Sequence, residues 1–440
     1  MEFREGLCCH RIAQKCVDSA LKTFLLVCFF LLSFLFHFKE INLMYNLDNK
    51  SKDLAISLRQ RVKNSVQYGD LSNEITEVNA GDVDVAIFTI RDNRIPLLPR
   101  KVYCPTWNNS IIFRNARFNV TACKNADVVM FTYGKGFERY EYWQELQEQR
   151  STRQLWLMST AEAAINVIPV WPPLYMRYIQ FNLSSTFRSD SELPIPYGTF
   201  TPFEHPVNVP FRAKELTDKE NLIVWVASHC PLRTWNRTGF VHDLSRFLPV
   251  DIYGKCGPLR CDEFDKRCFS TFRSYMFYLS LENSCCDEYI TEKFWEPLMK
   301  YEAIPVVMGT SREDYERVAP PHSFIHADDF NSVKDLADYI NTVASNISLY
   351  RSYFEWKNHG YVQTHKIYKS VWESDKHACQ LLDYVHRRRP VKTKGFDPYG
   401  QSWFRSCKVC GTHRWLQSYY FYPYQHIYDR LTMQEKQSSQ

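Results

Sequence analysis

Two series of short apolar runs, each bounded by turn residues, constrain this chain more than anything else in it. The first, beginning near Asp82, is DVAIFTI, ADVVMFTYG and RQLWLMS; the second, beginning at Asn221, is NLIVWVAS, PVDIYG, MFYLSLE and AIPVVMG. Runs so short and so uniformly apolar are what strands look like when both faces of a parallel sheet are covered by helices. Val333, Leu336, Ala337, Ile340, Val343, Ala344 and Ile347 recur at spacings of three and four, one apolar helix face. The pattern predicts an α/β protein built in two halves. Between them, from Pro169 to Pro210, prolines crowd the chain and predict loop plus inter-domain linker. Two such halves leave a cleft, and the carboxyl ends of parallel strands are where sheets of this kind hold ligands.

Composition removes other classes. With 440 residues, 45% hydrophobic, 23% charged and only 14 Gly, the chain is neither collagen-like, coiled-coil nor wholly disordered. One long apolar run, Thr23–Phe36 extended to Phe38, excludes a multi-pass membrane protein. As a helix it rises ~24 Å, enough for a thin early-secretory bilayer if Lys22 and Lys39 snorkel. No small-x-small cleavage site follows, so the run predicts a signal anchor and residues 39–80 a polar stem. Six Asn-x-Ser/Thr sequons stand at Asn49, Asn108, Asn119, Asn182, Asn236 and Asn346, and eleven of the 15 cysteines follow the run, both of which suit an oxidising lumen. Cys256, Cys261, Cys268, Cys407 and Cys410 are grouped as disulfide candidates, with a staple near the C-terminus. Eleven is odd, so at least one thiol is free or pairs between chains. Cys407-Lys-Val-Cys410 lacks the second ligand pair that zinc requires. A net charge of +5 is too mild to argue for nucleic acid, and Arg387–Arg389 reads as a solvated tail.

Chemistry concentrates in FYLSLENSCCDEYITEKFWEPLMKYEAIPVVMG, Phe277–Gly309. A buried strand runs into Glu282-Asn283-Ser284, and a loop with Asp287 and Tyr289 leads to Thr291-Glu292-Lys293 and an apolar-periodic helix that Asp287 or Thr291 can cap. A helix start beside Lys293 suits a diphosphate, and Glu292 suits sugar hydroxyls; the plainer reading is that Glu292, Lys293 and Glu296 form a solvated helix face. Pro297 must shorten or kink that helix. Asp82-Val83-Asp84 looks like a metal-binding DxD but reads better as strand-edge residues, and Asp328-Asp329 as a loop feature; no metal ligand set is predicted.

This segment resembles the donor-binding signature of the α1,3-fucosyltransferases, close to FYLxFENSxxxDYxTEK. The resemblance continues in FIHADDFNSVKDLADYI, YRSYFEWK, LIVWVASHCPLRTWNRTGF, PVDIYGKCG and FNLSSTFRSDSELPIPYG, over roughly residues 80–375. It implies a glycosyltransferase type B fold, two Rossmann-like domains facing across a cleft after one transmembrane helix and a stem. The implied organisation is a cytoplasmic tail 1–22, a transmembrane anchor 23–38, a stem 39–80, an acceptor-side domain with linker 81–212, a GDP-fucose-binding domain 213–380 and a C-terminal tail with CxxC 381–440. It implies a single-pass type II Golgi membrane enzyme with its body in the lumen, moving fucose from GDP-fucose to the 3-hydroxyl of a GlcNAc with inversion. The acceptor is then an N-glycan or glycoprotein, either at the N-glycan core or on a lactosamine antenna. The KCG after VDIYG and the CxxC lean toward the core-modifying branch.

By motif position the resemblance implies donor contacts at Asn283, Tyr289, Glu292 and Lys293. A basic residue after the first strand of the donor domain is expected at Arg237, with Arg233 a second candidate, because the chain has His229 where the family has Asn. Glu162, in WLMSTAEAA, takes the place of the family's catalytic base, though the Ser-Pro that should follow is missing. Fixed cations stabilise charge on the departing diphosphate, and a carboxylate removes the acceptor's proton. No cofactor is bound tightly on this reading, and Mn or Mg is at most a stimulant. Asn236, beside Arg237, is expected to stay unglycosylated. His229, the missing Ser-Pro and Pro297 favour the other reading, a catalytically impaired Golgi-anchored relative that binds glycan or nucleotide.

Overall fold

A computed structural model describes residues 81–420 except 89–98, 117–118, 133–139, 168–180, 210–218, 231–233, 262–265, 366–373, 388–394 and 401. The apolar run, the stem, Asn49 and Arg233 lie outside the described residues. Among the described residues no helix is long and apolar enough to cross a membrane.

Two sheets carry the fold. The first has six strands in the order β2-β3-β1-β4-β5-β6: β1 Val83–Phe88, β2 Arg100–Cys104, β3 Asn109–Asn115, β4 Val128–Thr132, β5 Leu155–Ser159 and β6 Leu183–Ser185. All neighbours are parallel except the edge pair β2·β3. The second sheet, wholly parallel, runs β12-β11-β10-β8-β9: β8 Asn221–Val226, β9 Val250–Tyr253, β10 Tyr275–Leu281, β11 Ile304–Met308 and β12 Ile325–His326. With β2 set aside, both sheets follow one winding, the second strand outside the first and the third on its other side. In each, the order reverses beside the first strand, which leaves a crevice at the carboxyl ends. The two α/β halves expected from the apolar runs are present.

The central strands are apolar because both faces are covered. β4 (VVMFT) and β11 (IPVVM) are buried at every position. The helix Val333–Ser345 starts where the Ser332 side chain accepts the Asp335 amide, and it buries Leu336, Ala337, Ile340 and Val343. Ile347, counted in the same stripe, is 53% exposed, because the helix has ended and Asn346 caps the next one.

Three expectations change. The proline-rich passage is not a plain linker: it supplies β6 to the first sheet, buries Phe187, Leu193 and Tyr197, and contributes β7 Gly198–Pro202. That strand pairs antiparallel with β13 Gly360–Thr364. The hairpin β2–β3 adds two strands between the first two apolar runs, where none was expected. The C-terminal part is not a tail: the helix Asp375–Arg387 lays Ala378, Leu381 and Leu382 into the core under β1, β3 and β4, and Cys379 is bonded to Cys104. Arg387 is exposed, as a solvated residue should be, though it pairs with Asp383 and lies over the Trp107 ring; Arg388 and Arg389 lie outside the described residues.

Candidate functional site

The first sheet contributes one carboxylate. Glu162 stands three residues beyond β5, and its Oε1 accepts from Ala163 N at 3.1 Å and Asn166 Nδ2 at 3.0 Å. Two more donors come from the loop after β10 in the second sheet: Tyr289 Oη at 2.9 Å and Asn283 Nδ2 at 3.3 Å. Asn166 also donates to Ser284 Oγ at 3.1 Å. Tyr289, expected against donor, has its hydroxyl on Glu162 and its ring 4.9 Å from Phe187; it is 2% exposed. Asn283 Oδ1 is buried without a hydrogen-bond partner.

The second sheet contributes the cations. Thr291 caps the short helix Glu292–Glu296, which Pro297 ends; the chain goes on as a single wide turn to Tyr301. Lys293 Nζ lies 2.9 Å from Glu292 Oε1, 3.0 Å from Thr291 Oγ1 and 3.5 Å from Glu282 Oε2. Its side chain is 25% exposed, so the solvated-face reading fails. Burial pushes its pKa down, but the two carboxylates outweigh burial and hold it above the usual lysine value. Glu282, wholly buried at the end of β10, accepts from Thr291 N at 2.7 Å and Thr291 Oγ1 at 2.8 Å. Its carboxyl is pushed up by burial, against the pull of Lys293.

Arg237 opens the helix Arg237–Leu244 and donates to His229 O at 2.8 Å and Leu281 O at 3.3 Å. Both acceptors sit at strand ends of the second sheet's crevice. Burial lowers its pKa, and Glu282, Tyr289 and Glu162 act on it in the opposite sense. The structure therefore gathers Glu162, Asn283, Tyr289, Glu292, Lys293 and Arg237 around one place. Sequence reading missed Glu282, Asn166 and Ser284. Glu282 and Ser284 flank Asn283 in the quoted motif, and Asn166 lies four residues after Glu162, one helical turn, so spacing could have flagged all three.

Other expectations separate from the site. Asp82 accepts from Lys101 and from Ser110 N, and Asp84 is held bidentately by Arg114. Asp328 accepts the Thr412 and His413 amides, and Asp329 pairs with Arg312. Among the described residues no group of three or more His, Cys, Asp or Glu could hold a metal. Asn108, Asn119 and Asn346 are exposed, whereas Asn182 Oδ1 accepts from Arg150 and from Trp156 N inside the first lobe. Asn236 Oδ1 caps its helix by accepting Gly239 N.

Disulfides join Cys104–Cys379, Cys230–Cys256, Cys261–Cys268, Cys285–Cys410 and Cys286–Cys407, leaving Cys123 free and buried. The CxxC cysteines thus bond not to each other but to the vicinal pair in the site loop. Asp287 completes the staple: its amide donates to Ser406 O at 3.0 Å, and Lys408 donates to its carboxylate at 2.9 Å.

Residues 216–396 match the family model described as "Glycosyltransferase family 10 (fucosyltransferase) C-term". That stretch contains Arg237, Asn283, Tyr289, Glu292 and Lys293, while Glu162, Cys407 and Cys410 fall outside it. Glycoprotein 3-alpha-L-fucosyltransferase A of Drosophila melanogaster is 33% identical over 53% of this chain and 45% of its own length. The 4-galactosyl-N-acetylglucosaminide 3-alpha-L-fucosyltransferase 9 of Mus musculus is 37% identical over 49% of this chain and 56% of its own. The chain spans about half the length of the curated relatives it matches. A crystal structure of an alpha1,3-fucosyltransferase with GDP-fucose shares 14% identity over 74% of this chain and 95% of its own, with a TM-score of 0.44.

Proposed function

We propose that this chain is an inverting α1,3-fucosyltransferase that takes fucose from GDP-fucose to the 3-hydroxyl of a GlcNAc in a glycoprotein glycan. The observation that carries the reading is the meeting of Glu162 with Tyr289 and Asn283. It sets a carboxylate of the first lobe beside the loop whose continuation holds Lys293, within the family 10 domain. In this reading Lys293 and Arg237 face the diphosphate. As the bond from the fucosyl carbon to phosphate breaks, negative charge grows on the leaving group, and fixed cations stabilise it without having to reorganise. Glu162 takes the acceptor's proton from the opposite face, which inverts the anomeric centre. The names of the Drosophila and mouse relatives offer two acceptors, a glycoprotein and a galactosylated GlcNAc. We take the N-glycan core first, for the sequence features named above. A type II Golgi anchor in 23–38, with the body in the lumen, completes the proposal; five disulfides suit that oxidising compartment.

The test is Glu162→Gln in the lumenal fragment. GDP-fucose binding should stay as in the parent while turnover onto defined N-glycans falls ~10²-fold or more. Turnover near the parent's would remove Glu162 from the mechanism, and absence of any GDP affinity in the parent would remove the donor.

A further inference from the structure

We infer that Asn166 is a positioning residue for the transfer step: its amide locks one oxygen of the Glu162 carboxylate against the second lobe and leaves the other to take the proton. The inference rests on the reading of Glu162 as the base.

Asn166 is 6% exposed and one helical turn beyond Glu162. An amide nitrogen has two hydrogens. Here one goes to Glu162 Oε1 at 3.0 Å and the other to Ser284 Oγ at 3.1 Å, and Ser284 is wholly buried at the end of the opposite sheet. A single side chain therefore bridges the lobes at the carboxylate itself. Oε1 also receives Ala163 N, Tyr289 Oη and Asn283 Nδ2. Four donors oversubscribe the lone pairs of one oxygen, so Oε1 has no room for a proton. Among the described residues no donor reaches Oε2. The proton leaving the acceptor hydroxyl goes to Oε2, while that hydroxyl's electron pair forms the new bond to the fucosyl carbon and the carbon–phosphate oxygen bond breaks.

Three ionisable groups from three elements lie near enough to feel this carboxylate: Tyr289 from the loop after β10, Tyr197 from the stretch before β7, and Arg237 from the helix after β8. Burial pushes both tyrosines well above the ordinary phenol value, so both stay neutral donors. Removing the Asn166 amide takes away a hydrogen bond to the charged form of Glu162, so the acid limb of the activity profile is expected to move to higher pH. Loss of packing alone would not move that limb.

The test measures kcat, kcat/KM against pH, and GDP affinity for Asn166→Ala and Asn166→Asp, with Glu162→Gln alongside. We expect Asn166→Ala to lower kcat ~10-fold or more, move the acid limb to higher pH and leave the GDP Kd within about twofold. Asn166→Asp keeps the volume and places a second carboxylate beside Glu162, so its limb should move further; it carries the test if the alanine variant does not fold. An unmoved acid limb in the folded variants would overturn the inference, as would parallel losses of kcat and GDP affinity. A normally active Glu162→Gln would instead overturn the base reading beneath it.

Discussion

The two lobes share a winding and differ in how they are held. In the first, charged residues near the strands are consumed in local pairs: Asp82 with Lys101, Asp84 with Arg114. One disulfide ties its hairpin to the late helix Asp375–Arg387, and apolar burial closes the rest. In the second, four disulfides fasten the connections around the cations, two of them pinning the loop that carries Asn283 and Tyr289. A buried carboxylate, Glu282, stands among those cations. The difference teaches that cations gathered in one place, Lys293 and Arg237, sit with covalent and ionic restraint nearby, whereas the Glu162 carboxylate is held by hydrogen bonds alone.

The sharpest way to break this comparison is to truncate one lysine in each lobe. Lys293→Ala strands wholly buried Glu282 without its partner and should cost about 3–5 kcal/mol of unfolding free energy. Lys101, 34% exposed beside Asp82, should cost about 1 kcal/mol or less when made Ala. Chemical denaturation of both variants checks the pair, and equal losses would erase the distinction. Next in size, Leu381→Ala should cost about 2–5 kcal/mol by opening a cavity under the first sheet, with GDP affinity unchanged by calorimetry. A loss confined to local fraying would return that helix to the status of a tail.

Removing Cys285–Cys410 or Cys104–Cys379 by paired serine substitution should cost about 2–4 kcal/mol in either case. The two should part on ligand: only the first should weaken GDP, because only the first anchors the site loop. The smallest effect concerns pH. Burial raises the Glu292 carboxyl, but the Lys293 ammonium outweighs burial and holds it below the ordinary glutamate value of 4.5. Its stabilisation is therefore complete above 4.5 and is lost as pH falls through the lowered value. Glu292→Gln should flatten the acid side of a melting-temperature profile relative to the parent, and an unchanged slope there would show that other carboxylates carry it.

Much of this was legible before any coordinates. Seven apolar runs became strands where expected; most are buried on both faces and can tolerate little but apolar residues, while β9 at the sheet edge is half-exposed. Thr291 as cap and Pro297 as terminator follow from local chemistry. What escaped was short or conditional. β6 is three residues long, too short to show a period, and β7, though five residues long, is mostly half-exposed and carries no apolar run. The segment from 381 onward reads as a tail because little marks it locally, yet Ala378, Leu381 and Leu382 of Asp375–Arg387 fill the space under the first sheet.

By itself the sequence determined the class of fold, the spacing of its strands and the residue types gathered at their carboxyl ends, since local propensity and burial act over a few residues. Only the tertiary structure decided which groups meet. Glu162 and Tyr289 are 127 residues apart and Cys286 and Cys407 are 121 apart. No local rule pairs groups so distant, because their encounter depends on how the two sheets pack.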